Sequence, residues 1–178
     1  MSARVLALSL SPTHTFSKSP QQRLKLVAEH GVEGDAHFGV TVKHRSRVAK
    51  NPDAPNLRQV HLIHQEMLDR VASSGLDLKP GDIGENILTA GVDLLALSRG
   101  ARLQMGSAEV EVTGLRNPCL QLDNFKPGLR RAFLQKRANG EIIRLAGVMA
   151  IVAKTGEVSL DDLSKVTSPT THTPLEVV

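Results

Sequence analysis

The chain contains no tryptophan or tyrosine, only four phenylalanines and a single cysteine. Basic residues without interleaved aromatics offer single-stranded nucleic acid no stacking platform, so a nucleic-acid partner is not expected. One thiol cannot form an internal disulfide, and the lack of a C-x-x-C pair argues against a zinc ribbon or a thioredoxin-type centre and fits a reducing compartment. No window approaches 18 consecutive apolar residues, and Met1 to Val5 lead into a short apolar run unlike a signal peptide. The expectation is a cytoplasmic protein that does not span a membrane. A phosphate loop of the G-x-x-x-x-G-K-[ST] kind, a flavin or nicotinamide fingerprint and ferredoxin-like cluster cysteines are all missing.

What is present fits a self-sufficient single domain: 178 residues can bury about 70% of their unfolded surface. With so few aromatics, Leu, Val, Ile and Ala must fill the core. A net charge of +4 and a pI near 9.5 suggest an anionic partner without identifying it. Apolar alternation predicts strands over 4–10, 22–28, 59–64 and 146–154, and a hairpin over 101–115 turning at Gly106-Ser107. A short helix is predicted over 65–74, with Met67, Leu68 and Val71 inward and Gly75 ending it. A basic amphipathic helix is predicted over 127–139, with Leu129, Ala132, Phe133 and Leu134 inward. Ser17, Lys18 and Ser19 read as an exposed loop, and residues 161–178 as a mobile tail. Many short strands with glycine-rich turns predict a mainly β fold, a closed or partly open barrel with a few short peripheral α-helices.

Three stretches carry candidate chemistry. In Thr113 to Leu122, Arg116 stands three residues before Cys119, and Asn117-Pro118 can end a strand and open a helix. Cys119 would then lie in the first turn, where free N–H groups and the helix dipole favour an anion. The alternative is that Cys119 is a small buried hydrophobe. In Gly31 to Gly39, Gly34 precedes Asp35 and His37, whose spacing suits an anchoring acid and a base but also a surface turn in which Asp35 bonds its own backbone. In Leu78 to Leu88, Glu85 and Asn86 sit between turn glycines. The basic run Lys43-His44-Arg45-Ser46-Arg47-Val48-Ala49-Lys50 could receive a phosphate or be a solvated face. His61 or His64 could face the same site or merely finish a strand.

Together, G-D-A-H at 34–37, G-E-N-I at 84–87 and L-R-N-P-C at 115–119 resemble the MOSC family, named for the C-terminal domain of molybdenum cofactor sulfurases, in its small standalone bacterial form. The resemblance runs from about residue 4 to about 155 and implies one MOSC domain over 1–160. It implies loops that hold a molybdopterin-type molybdenum cofactor, with Cys119 as the metal ligand or as a persulfide carrier. Arg116 would hold the thiolate or an anionic cofactor group. Asp35, His37, Glu85 and Asn86 would line the pocket, with Gly34, His61, Asn117, Lys43, Arg45 and Arg47 contributing to cofactor binding. The favoured activity is reduction of small N-hydroxylated substrates, of hydroxylaminopurine or amidoxime type, with a separate electron-donor protein. The alternatives are a sulfurtransferase loaded by a cysteine desulfurase, the only route to pyridoxal phosphate, and a non-catalytic cofactor carrier.

Overall fold

The computed structural model describes residues 2–178; Met1, counted in the expected domain, lies outside the described residues. The strands are β1 (Ser2–Leu10), β2 (Ser19–Gln21), β3 (Arg23–Val27), β4 (Gly31–Val32), β5 (Val60–His64), β6 (Ile87–Ala90), β7 (Arg102–Met105), β8 (Ala108–Leu115), β9 (Leu134–Lys136), β10 (Ile142–Arg144), β11 (Val148–Lys154), β12 (Gly156–Ser159) and β13 (Leu163–Thr167). Four short α-helices accompany them, α1 (Arg45–Val48), α2 (Gln65–Ala72), α3 (Gln121–Phe125) and α4 (Leu129–Ala132), with a 3-10 turn at Leu94–Ala96. Seven strands close a barrel in the order β13-β7-β8-β11-β5-β6-β1, with β1 pairing back onto β13. Closure removes the unpaired edges that an open sheet would expose. Within it β5 and β6 run parallel; the other barrel pairs are antiparallel.

The barrel is filled by aliphatic side chains, among them Val5, Leu62, Ile87, Leu103, Val110, Val112, Val148 and Ala150. Strand β5 is buried along its whole length. Its period-2 alternation puts Leu62 inside the barrel and turns Ile63 outward, into a second cluster with Met67, Leu68 and Val71 of α2 and with Leu122, Leu129 and Phe133 of the 121–133 segment. That second cluster fixes α3 and α4 against the barrel wall, beside the segment that carries Cys119.

The hairpin over 101–115 forms as predicted, with Met105 opposite Ala108 and Gly106 at φ +54°. Other expectations need correction. Only Leu129–Ala132 of the amphipathic helix predicted over 127–139 is helical; the chain then forms the β9–β10 hairpin. Asn139-Gly140 is a strong hairpin signal, with Gly140 at φ +86°, and it outweighs the apolar spacing before it. The expected tail is structured at its start, because Leu163–Thr167 pairs with both β7 and β1 and completes the barrel. Beyond it the Arg99 N–H donates to the Thr173 carbonyl at 2.9 Å and the Leu115 N–H to the Glu176 carbonyl at 2.7 Å. Low local hydrophobicity at 161–178 conceals backbone pairing that depends on distant strands.

Candidate functional site

Beside the barrel wall, loops from five parts of the chain meet around a cavity of about 160 Å³. The 14–18 loop lies against the Gly81–Asn86 turn: Lys18 N–H donates to the Gly81 carbonyl at 2.9 Å and Ser17 Oγ to the Asp82 carbonyl at 2.8 Å. This approach needs glycine at position 84, which holds φ +84° and whose Cβ would fall 2.6 Å from the Phe16 carbonyl oxygen.

At the base of the site is a buried charge cluster. Asp35 accepts from Lys18 Nζ at 2.8 Å, from the His37 N–H and Nδ1–H at 3.0 Å each, from Asn86 Nδ2 at 3.1 Å and from the Ser11 N–H at 3.3 Å. Burial pushes the Asp35 carboxyl upward, but the His37 hydrogen bond and the Lys18 charge outweigh it and hold the group well below the usual carboxylate range. Burial lowers the Lys18 ammonium, with Asp35 opposing. Lys18 was expected in an exposed loop, yet its side chain is 5% exposed. Asp35 thus makes both the predicted acid–base contact to His37 and the backbone turn, at a buried rather than a surface position.

Asn86 is a junction between strands. Its Oδ1 accepts from the His61 N–H, and its Nδ2 donates to the Ser9 carbonyl as well as to Asp35. His61 Nε2–H donates to the Ala146 carbonyl at 2.8 Å, and burial pushes its pKa well below the ordinary value, so the ring lines the cavity in its neutral form. Glu85 lies beneath. Its Oε1 accepts from the Gly81 N–H, its Oε2 has no partner, and burial raises its pKa.

The remaining walls are cationic. Arg116 and Arg58 line the cavity, and each has a buried nitrogen, Nη1 and Nε respectively, without a hydrogen-bond partner. Burial lowers Arg58 to about 10, with Arg47 and Arg116 adding repulsion. Arg45 of α1, His14, His37 and His44 also line the cavity, and the His14 and His37 rings are 5.2 Å apart. Burial, then Arg58, lowers His44 to about 4. The guanidinium groups of Arg45, Arg58 and Arg116, two of them carrying orphaned donors, make this a site for an anion.

Cys119 is half-buried and does not itself line the cavity; it lies in sequence between the lining residues Arg116 and Gln121, and its Sγ is 3.6 Å from Gln121 Oε1. Arg58 and Arg116 both lie within electrostatic range of it. It precedes α3 rather than lying within its first turn: the helix starts at Gln121 with Leu120 as cap. The Arg130 and Arg144 side chains instead hold the loop, donating to the Pro118 carbonyl and to Asn117 Oδ1.

Of the residues singled out in the sequence, Arg116, His37, Asn86, Arg45 and His61 line the cavity, with Asp35 and Glu85 as buried supports. The others stand apart. Gly34 is an exposed turn residue, Asn117 is engaged by Arg144, Arg47 is exposed, and Lys43 lies over Gly39. Arg58 and His14 were missed. Arg58 is placed by Asn56, whose Oδ1 accepts its N–H and whose Nδ2 donates to the His37 and Gly39 carbonyls. The Pro55-Asn56 turn was the only available hint.

The MOSC domain model matches residues 21–163. YuaD of Bacillus subtilis (strain 168), described as a candidate metal-sulfur cluster biosynthesis protein, is 26% identical over 176 residues, covering 91% of this chain and 88% of that protein. The YuaD crystal structure superposes with a TM-score of 0.78 over 96% of this chain and 98% of that one, at 26% identity. YiiM from Escherichia coli shares the fold, with a TM-score of 0.64 at 20% identity over 96% of this chain and 73% of that one.

Proposed function

The chain belongs to the MOSC domain family, and from that premise we propose that it binds a molybdopterin-type molybdenum cofactor and reduces small N-hydroxylated substrates. The observation that carries the reading is the pair of orphaned guanidinium nitrogens, Arg58 Nε and Arg116 Nη1, in a cationic cavity next to the chain's sole thiol. The donor set fits the cofactor: arginines suit its phosphate, and a cysteine thiolate is a soft ligand for its metal. Cys119 would hold the metal, and Arg58, Arg116 and Arg45 the anionic groups. When bound, the cofactor supplies two-electron oxygen-atom chemistry.

The chain's own residues do the rest. Lys18 and Asn86 fix Asp35; Asp35 fixes His37 through Nδ1–H, leaving Nε2 free to exchange a proton with a substrate in the cavity. Overall an N–OH group, two electrons and two protons give N–H and water, and the electrons come from a separate donor protein.

The test is molybdenum and pterin analysis of protein made in a cofactor-producing host, followed by reduction of 6-hydroxylaminopurine with an artificial electron donor. Bound metal and turnover are expected, both lost in Cys119→Ala while the unfolding midpoint stays put. Protein that takes up no pterin overturns the reading. A second reading, sulfur transfer, is favoured by the partial exposure of Cys119 and by YuaD's description. Here the Cys119 thiolate attacks the outer sulfur of a desulfurase persulfide, becoming Cys119–S–SH and releasing the donor thiolate. Cyanide-labile sulfur on Cys119 after incubation with a cysteine desulfurase and cysteine would establish it.

A further inference from the structure

The positive charge is not spread evenly along the chain. Residues 120–144, the 25 that follow Cys119, contain six Lys/Arg and two Asp/Glu, a net +4 that equals the charge of the whole protein. These residues form α3, α4 and the β9–β10 hairpin, packed on the outer barrel wall through Leu122, Leu129 and Phe133. Both acids are occupied within the segment: Asp123 Oδ1 accepts from the Arg130 N–H at 2.9 Å, and Glu141 pairs with Arg137 at 2.8 Å. Lys126, Arg130, Arg131, Lys136 and Arg144 have no carboxylate partner among the described residues. Among these cations, large apolar side chains stand in water: Leu120 is 66% exposed, Ile142 51% and Phe125 42%. Leu120 is the next residue after Cys119, and Arg130 and Arg144 reach the two residues before it.

We propose that the face built by residues 120–144 docks an acidic electron-carrier protein beside Cys119. Exposed apolar anchors interspersed with arginines and lysines are the composition of a protein–protein interface. Uncompensated cations select an acidic partner and speed its approach. A nucleic acid is disfavoured because Phe125 is the only exposed aromatic of this face. The proposal rests on the reductase reading, which needs an external electron donor, and names the surface that the donor uses.

An acidic [2Fe–2S] ferredoxin serves as the probe, with the holo-protein and its Arg131→Glu/Lys136→Glu variant, both substituted residues being exposed and outside the cavity. Calorimetry should show binding that weakens between about 20 mM and about 200 mM salt, and about tenfold weaker binding by the variant at the lower salt. Turnover with an artificial donor should be unchanged in the variant, and carbodiimide should cross-link ferredoxin to Lys126 or Lys136. Binding unaffected by the reversals, equal affinity for a basic cytochrome c, cross-links elsewhere, or tighter capture of duplex RNA would each overturn the docking face. Absence of turnover with the artificial donor would instead overturn the reductase reading, and the binding measurement would still decide the face.

Discussion

The Lys18–Asp35 pair offers the sharpest test of how the site is held. The two side chains are 5% and 0% exposed and meet at 2.8 Å. Removing one member of a buried pair strands the other charge and costs about 3–5 kcal/mol. The two single variants should nevertheless differ. Lys18→Met leaves the Asp35 carboxylate with four other donors, from His37, Asn86 and Ser11, so its cost should lie near about 3 kcal/mol. Asp35→Asn leaves Lys18 Nζ without its counter-ion in a cluster that also contains Arg116, so its cost should lie near about 5 kcal/mol. For a chain of this length these costs lower the melting temperature by about 6–20 °C. The double variant has no stranded charge, so it should be more stable than Asp35→Asn alone. The Asp35 carboxyl is depressed in the folded state, so its stabilisation is present above about pH 4 and is lost as the pH falls further. Urea unfolding of all four proteins between pH 3 and pH 8 checks both points, at about 0.5 kcal/mol resolution. Strictly additive single costs, or an acid limb unchanged in the double variant, would refute the reasoning.

Gly84→Ala puts a Cβ 2.6 Å from the Phe16 carbonyl at φ +84°; it should cost about 1–3 kcal/mol and weaken phosphate binding by loosening the 14–18 loop. Unchanged melting and phosphate affinity would remove that loop from the site. Burial raises the Glu85 pKa, so its contribution is most favourable below the ordinary carboxylate pKa and declines as the pH rises. The stability of Glu85→Gln relative to the parent should therefore increase from pH 5 to pH 8, as followed by thermal unfolding. A flat difference would mean that Glu85 is charged in the fold.

Much of this architecture was legible because it rests on short-range patterns. Alternation marked β1, β3, β5, β8 and β11, Gly106-Ser107 marked a hairpin, and Met67, Leu68 and Val71 marked the buried face of α2. Three short motifs pointed to Asp35, His37, Asn86, Arg116 and Cys119 as candidates, which the fold gathers around or beneath one cavity or places at its edge. Asn139-Gly140 was also readable as a hairpin signal, and in the fold it prevails over the apolar spacing of 129–134.

The amino-acid sequence alone determined the aliphatic core, the strand-rich class, the solitary thiol and the family signature, because each is a matter of residue type and local spacing. Only the tertiary structure decided that Lys18 is buried on Asp35, that Arg58 joins Arg116 as an unpaired donor, and that Leu163–Thr167 closes the barrel. Those outcomes depend on contacts between segments far apart in the chain. A lysine in a Ser-rich loop looks the same whether solvent or a carboxylate 17 positions away becomes its partner.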